Sequence, residues 1–175
     1  MGVAPRTSAK IVDRAEAVAW RRRLAREGRK VVFTNGCFDL VHRGHVDLLR
    51  QARELGDALI VGLNDDASVR RLKGAARPLT PEEDRAEVLA ALEMVDRVVL
   101  FPEDDPGSLI AAVVPDVLVK GDDWAHDAVI GRETVEAAGG RVERVHLTPG
   151  RSTRGLIRTV LERCGVSGPK GDRSE

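Results

Sequence analysis

Two histidines, His42 and His45, stand three residues apart around Gly44 in the run Thr34-Asn35-Gly36-Cys37-Phe38-Asp39-Leu40-Val41-His42-Arg43-Gly44-His45. The apolar stretch KVVFT at 30–34 leads into this run. Val46, Leu48, Leu49, Ala52 and Leu55 follow it at helical spacing. The pair therefore falls where a strand hands over to a helix. A helix N-terminus offers free N–H groups and the positive end of its dipole, which together favour a phosphate. Two imidazoles placed there can donate hydrogen bonds to the same anion, and Gly44 lets that anion approach the backbone. H-x-x-H metal binding is the rival chemistry, but no clear third ligand stands nearby. A capping histidine beside a core histidine is the plain structural alternative; a pair in the Gly-containing loop after a first strand favours phosphate.

The elements that position this loop alternate along the chain. Helices are expected over 10–27, 45–55, 67–73, 81–93, a stretch ending at 109–114, 130–138 and 152–163. Short apolar strands are expected at 30–34, 58–63, 98–101, 117–119 and 142–147. Gly56 and Gly139-Gly140 read as helix stops, and Thr80 with Pro81 as an N-cap and first helical residue. Five nearly continuous apolar strands separated by helices imply an α/β fold with a doubly wound five-stranded parallel sheet. Ligands on such sheets bind beyond the carboxyl ends of the strands, at the switch point. Chemistry is therefore expected in the loops at 35–44, 64–66, 102–108, 120–128 and 148–152.

Composition narrows the function. The chain has 175 residues, 42% of them hydrophobic and 32% charged, which suits one domain with a real core rather than a disordered segment. The expected division is an N-terminal extension and helix at 1–27, the main domain at 28–164 and a flexible tail at 165–175. No apolar run approaches a membrane span, and the start MGVAPRTSAK has no apolar signal region, so a cytoplasmic protein is expected. Cys37 and Cys164 form no C-x-x-C pair and no disulfide framework. The 28 Lys and Arg balance 28 Asp and Glu, which argues against a non-specific nucleic-acid binder. A small-molecule substrate is the remaining class.

The run F-T-N-G-C-F-D-L-V-H-R-G-H resembles the H-x-G-H signature of the cytidylyltransferase-like branch of the nucleotidyltransferase superfamily. The likeness continues through G-D-A-L-I-V-G-L-N-D-D, R-L-K-G-A-A-R-P, P-D-V-L-V-K-G-D-D-W and G-R-S-T-R-G-L-I, covering residues 28–160. It is nearest to the adenylyltransferases that act on D-glycero-β-D-manno-heptose 1-phosphate. The resemblance implies a Rossmann-like fold of the H-x-G-H nucleotidyltransferase type. It also implies transfer of AMP from ATP, with Mg²⁺ supplied alongside the triphosphate and no dedicated protein metal site. In many bacteria that activity is fused to a sugar kinase, so a separate kinase would supply the sugar 1-phosphate here. A homodimer is implied as well, with the helix at 10–27 as a candidate contact. Two alternatives stand beside this reading: a cytidylyltransferase acting on glycerol 3-phosphate or a related small phosphate, and a non-catalytic nucleotide-binding module.

The resemblance places His42 and His45 on the triphosphate, with Lys73 as a mobile phosphate clamp. It adds Ser152 and Thr153 as donors to the β- and γ-phosphates, and Arg85 as a recurrent family arginine. Gly36 and Phe38 supply backbone contacts near the nucleotide, where Gly44 and Lys120 are also expected. Asp39 either helps hold Mg²⁺ or ties the loop through an Asx-type bond. Asn64, Asp65, Asp122 and Trp124 are expected at the acceptor or base pocket. Arg154 stands where the family usually has a second Thr. Arg70 and Arg71 read as solvated charges, and Cys37 as a small buried side chain rather than a nucleophile.

Overall fold

The computed structural model describes residues 8–122 and 129–165. Its five strands are β1 (Val31–Gly36), β2 (Ala58–Asn64), β3 (Arg97–Phe101), β4 (Val117–Gly121) and β5 (Arg141–Val145). The helices are α1 (Arg14–Arg26), α2 (Arg43–Glu54), α3 (Asp66–Lys73), α4 (Glu82–Ala91), α5 (Gly107–Val113), α6 (Arg132–Ala137) and α7 (Thr153–Arg163). The strands pair in parallel in the order β3-β2-β1-β4-β5. The chain winds outward from β1 to β3, then crosses back to place β4 on the other side of β1. This is the doubly wound α/β sheet expected from the alternating pattern.

Strand residues alternate between two cores, one on each face of the sheet. Val32, Leu59, Val61, Leu63, Val98, Val117 and Val119 pack with Leu49 and Ala52 of α2 and Ala86, Leu89 and Ala90 of α4. Val31, Phe33, Ala58, Ile60, Val99, Phe101 and Leu118 face the other way, onto Ala17 and Leu24 of α1, Leu109, Ile110 and Val113 of α5 and Val135 of α6. Burial on both faces explains why the strands read as unbroken apolar runs.

Helices α1 and α4 are capped differently from expectation. Helix α1 begins at Arg14 rather than near residue 10, because Asp13 and Glu16 close a capping box there. The residues before it run as an extra edge beside β3: Val12 donates to the Val98 carbonyl at 3.0 Å and Val98 to the Lys10 carbonyl at 2.9 Å. Ile11 therefore packs from a bridge to Val98 and not from a helix face. Helix α4 takes Pro81, not Thr80, as its N-cap, and no side chain caps it. The Thr80 N–H is drawn instead to the Asp39 carboxylate, and the acidic first turn of Glu82, Glu83 and Asp84 complements the helix dipole.

Candidate active site

At β1 the winding reverses, and the carboxyl edges of β1, β2 and β4 open onto a cleft of about 510 Å³. The loop from β1 to α2 forms one wall. Phe38 and Leu40 hold positive φ, 46° and 53°, a conformation that costs a non-glycine residue roughly 1–3 kcal/mol. Asp39, between them, fixes that loop. Its carboxylate accepts from the Leu79 N–H at 2.9 Å, the Thr80 N–H at 3.1 Å and the Arg77 guanidinium, while its carbonyl accepts from the Thr153 hydroxyl at 2.8 Å. Burial opposes its ionisation, but these donors outweigh it and hold Asp39 below the ordinary carboxylate range. One residue thus ties the signature loop to the α3–α4 connection and to the start of α7. That is the loop-tying role of Asp39, and its oxygens are already engaged by protein donors.

His42 is the N-cap of α2 and His45 lies one turn in, so their rings stack with centroids 3.8 Å apart and planes 20° apart. His45 Nδ1 accepts the His42 backbone N–H at 3.4 Å, which leaves the proton on Nε2 as a donor. The Phe38 ring stands 5.2 Å from that of His45. Burial, helped by neighbouring His42, pushes His45 down to about 4 against the opposing pull of Asp39. Burial and then Arg151 likewise lower His42. Both rings are therefore neutral hydrogen-bonding groups near pH 7. His42 Nδ1 is buried with no hydrogen-bond partner among the described residues. His42 itself does not line the cleft: its Nδ1 faces Gly44, 3.1 Å from where a Cβ there would stand, and of the two rings only that of His45 borders the cleft.

The other wall is the start of α7. Ser152 caps it by accepting the Gly155 N–H at 3.1 Å, and Thr153 and Arg154 line the cleft. The helix N-termini of α2 and α7 thus flank one region, with Lys73 at the end of α3 and Arg77 beyond it on the rim. Gly36, Phe38, His45, Asn64, Lys73, Lys120 and Thr153 all border the same cleft, as their sequence positions suggest.

Several expected roles change. Arg85 is 1% exposed and meets no cleft surface; it donates to the carbonyls of Thr80, Cys37 and Asn64 and to the Asp66 carboxylate. It is a buried brace behind the site, not a ligand contact. Asp65 caps α3 by accepting the Ser68 N–H at 2.7 Å, so it serves the helix rather than the acceptor. Asp122 is exposed outside the cleft lining and holds His146 and the Leu147 N–H. The space over Gly44 is filled: a Cβ there would meet the His42 ring at 3.1 Å and the Arg151 Cβ at 3.2 Å. Gly44 therefore makes room for His42 rather than for an incoming phosphate. The Thr153 hydroxyl donates to the Asp39 carbonyl and Ser152 Oγ accepts from Gly155, which leaves the Ser152 O–H and the backbone N–H groups of α7 as donors at that helix start. Trp124 lies outside the described residues.

Three residues escaped the sequence reading. Asn35 sits on the cleft floor and accepts from Lys120 Nζ. Arg151, which crowds His42, directly precedes Ser152; its place beside the α7 cap was the available signal. Arg77 closes the R-L-K-G-A-A-R-P run without an assigned role, and its pairing with Asp39 spans 38 residues of sequence. The neighbouring Arg71 pairs with Asp104 and the Pro102 carbonyl, as a surface charge would. Cys37 is half-buried, and burial pushes its thiol up despite Lys73, Arg85 and Arg77, so it is no activated nucleophile.

Known proteins resemble this chain. A bifunctional protein HldE from Citrifermentans bemidjiense is 59% identical over 141 residues, which are 79% of this chain and 29% of that protein. The chain thus spans less than a third of the curated relatives it matches. The crystal structure of a lipopolysaccharide core biosynthesis protein from Thermoplasma volcanium is 30% identical, with a TM-score of 0.57 over 69% of this chain and 98% of that one. Pantoate-beta-alanine ligase from Francisella tularensis, at 16% identity and a TM-score of 0.60, shares the fold over 84% of this chain and 72% of its own. The cytidylyltransferase-like family model matches residues 33–168, which take in the β1–α2 loop, both histidines and the start of α7. The chain belongs to the cytidylyltransferase-like family.

Proposed function

We propose that this chain transfers AMP from ATP to D-glycero-β-D-manno-heptose 1-phosphate, giving ADP-heptose and pyrophosphate. The observation that carries it is the neutral His45 at the start of α2, stacked on His42 and bordering the switch-point cleft together with Thr153 and Arg154 of α7. Similarity to the HldE proteins supports this acceptor.

The reaction needs placed charge rather than a covalent nucleophile. An oxygen of the acceptor phosphate attacks the α-phosphorus of ATP, the bond from that phosphorus to the bridging oxygen breaks, and pyrophosphate leaves with the electron pair. Negative charge grows on the bridging and pyrophosphate oxygens. His45 Nε2–H, His42 and the open N–H groups of α2 and α7 stabilise that charge where it develops. Lys73 and Arg154 add cations at the rim.

Magnesium enters with the triphosphate. Among the described residues no group of three or more His, Cys, Asp and Glu side chains is arranged to hold a metal, and Asp39 is already engaged. The donor set therefore fits an ion held by phosphate oxygens and water, whose part is to neutralise triphosphate charge. A sugar kinase activity would supply the acceptor. A cytoplasmic homodimer is the working assembly for this reading. No described helix is long and apolar enough to cross a membrane.

Phosphorus NMR of a reaction with ATP, Mg²⁺ and the heptose 1-phosphate tests the proposal. A new sugar-nucleotide diphosphate appearing one-for-one with pyrophosphate supports it. Release of inorganic phosphate with ADP would show a different bond cleaved and reject it.

A further inference from the structure

Helix α7 supplies Thr153 and Arg154 to the cleft, yet none of its residues is buried. Leu156 and Val160 are exposed, and Ile157 and Leu161 only half-buried. Core packing, the usual source of helix stability, therefore does not fix where α7 begins. Its place comes from the chain that leads into it.

Residues 146–152 connect β5 to α7 and retrace α2 toward its first turn. The His146 carbonyl accepts from Gln51 Nε2 at 2.9 Å, and the Thr148 hydroxyl donates to Asp47 Oδ2 at 2.6 Å. Arg151 Cβ stands 3.2 Å from where a Cβ on Gly44 would lie. Positions 146, 148 and 151 thus meet 51, 47 and 44 in order. Gln51 and Asp47 are one helical turn apart, so one stripe of α2 carries both hydrogen bonds. On its other side the connection is held just past β4, where Asp122 takes the His146 ring at 2.8 Å and the Leu147 N–H at 3.2 Å.

Asp47 is the charged tie on the α2 side. The Thr148 hydroxyl first, and Arg43 after it, hold its carboxyl below the ordinary carboxylate range. Neither Asp47 nor Thr148 borders the cleft, so whatever they do for a ligand passes through α7. We propose that Asp47 is a positioning residue: by holding Thr148 it sets the first turn of α7 beside His45, so that both helix starts serve one triphosphate. The proposal rests on the adenylyl-transfer reading for the identity of that ligand. Without the bond the start of α7 drifts from α2 while the sheet keeps its fold. A shift of about 1 Å in groups that position a reacting phosphate can cost roughly 100-fold.

Calorimetric titration of the full chain with α,β-methylene ATP and Mg²⁺ reads the placement of α7, and pyrophosphate release reads turnover. Thr148→Val keeps the shape and removes the hydroxyl, while Asp47→Ala removes the acceptor. Each should weaken the analogue roughly tenfold or more, with Tm within about 5 °C of wild type and the KM for heptose 1-phosphate within about twofold. Asp47→Asn still offers an acceptor oxygen and should recover part of the loss. The double variant Asp47→Ala/Thr148→Val should bind no more weakly than either single one, because both remove the same bond. Wild-type affinity in Thr148→Val, additive losses in the double variant, or Asp47→Asn as weak as Asp47→Ala would each overturn the proposal. So would a wild type that does not bind the analogue. The expected binding pattern without any pyrophosphate release would support the role of Asp47 and reject the transfer reading.

Discussion

Arg85→Met separates a brace from a ligand contact. Arg85 matches a recurrent family arginine, yet it is buried and donates four hydrogen bonds inside the protein. Three go to the carbonyls of Thr80, Cys37 and Asn64, which join the α3–α4 connection, the signature loop and the end of β2. Methionine keeps much of the stem volume, so the loss is chiefly polar. Each stranded carbonyl costs about 1 kcal/mol or more. Asp66 is partly exposed and rehydrates, and the guanidinium desolvation no longer opposes folding. The expected loss is therefore about 3–5 kcal/mol, or on the order of 10 °C in Tm for a domain of this size. Urea unfolding of both proteins gives the number directly. The KM for ATP, measured below the unfolding range, should stay within about threefold. Unchanged stability with a hundredfold fall in kcat/KM would refute the reasoning and return Arg85 to the substrate.

Removing one histidine, His42→Ala or His45→Ala, should lower kcat by roughly 10²–10³ with the fold largely kept, as loss of one transition-state donor does; a collapse of Tm instead would mark the pair as structural. Gly44→Ala should displace the His42 ring, because its Cβ would lie 3.1 Å from that ring, and cut kcat at least about tenfold with a smaller effect on ATP affinity. Activity equal to wild type would show that the ring can yield without cost. The depressed His45 also predicts a pH effect on stability. Between its ordinary value near 6.5 and its folded value of about 4, the unfolded chain binds the extra proton, so stability is full above that window and falls as pH drops through it. His45→Gln should flatten this part of the stability–pH curve, and identical curves for the two proteins would contradict the assignment.

Much of the fold was legible because both sheet faces are buried. Strands such as 58–63 then read as unbroken apolar runs, and the helices between them announce parallel crossovers. The H-x-G-H loop was legible because chemistry and position coincide there. What sequence hid was contact across the cleft. Asp39 gave no sign that it reaches the N–H groups of Leu79 and Thr80, some forty residues on. Arg85 looked like a ligand contact because the same donors that suit a phosphate also suit buried carbonyls. Ile11 fitted a helical stripe equally well, and only the Asp13 capping box moved the start of α1 beyond it.

Pyrophosphate release with Mg²⁺ tests the central claim most directly, with ATP, CTP, GTP and UTP each paired with heptose 1-phosphate or glycerol 3-phosphate. Turnover confined to ATP with heptose 1-phosphate is the predicted result. Turnover with CTP and glycerol 3-phosphate, or silence in every pairing from a protein that still binds ATP, would contradict it.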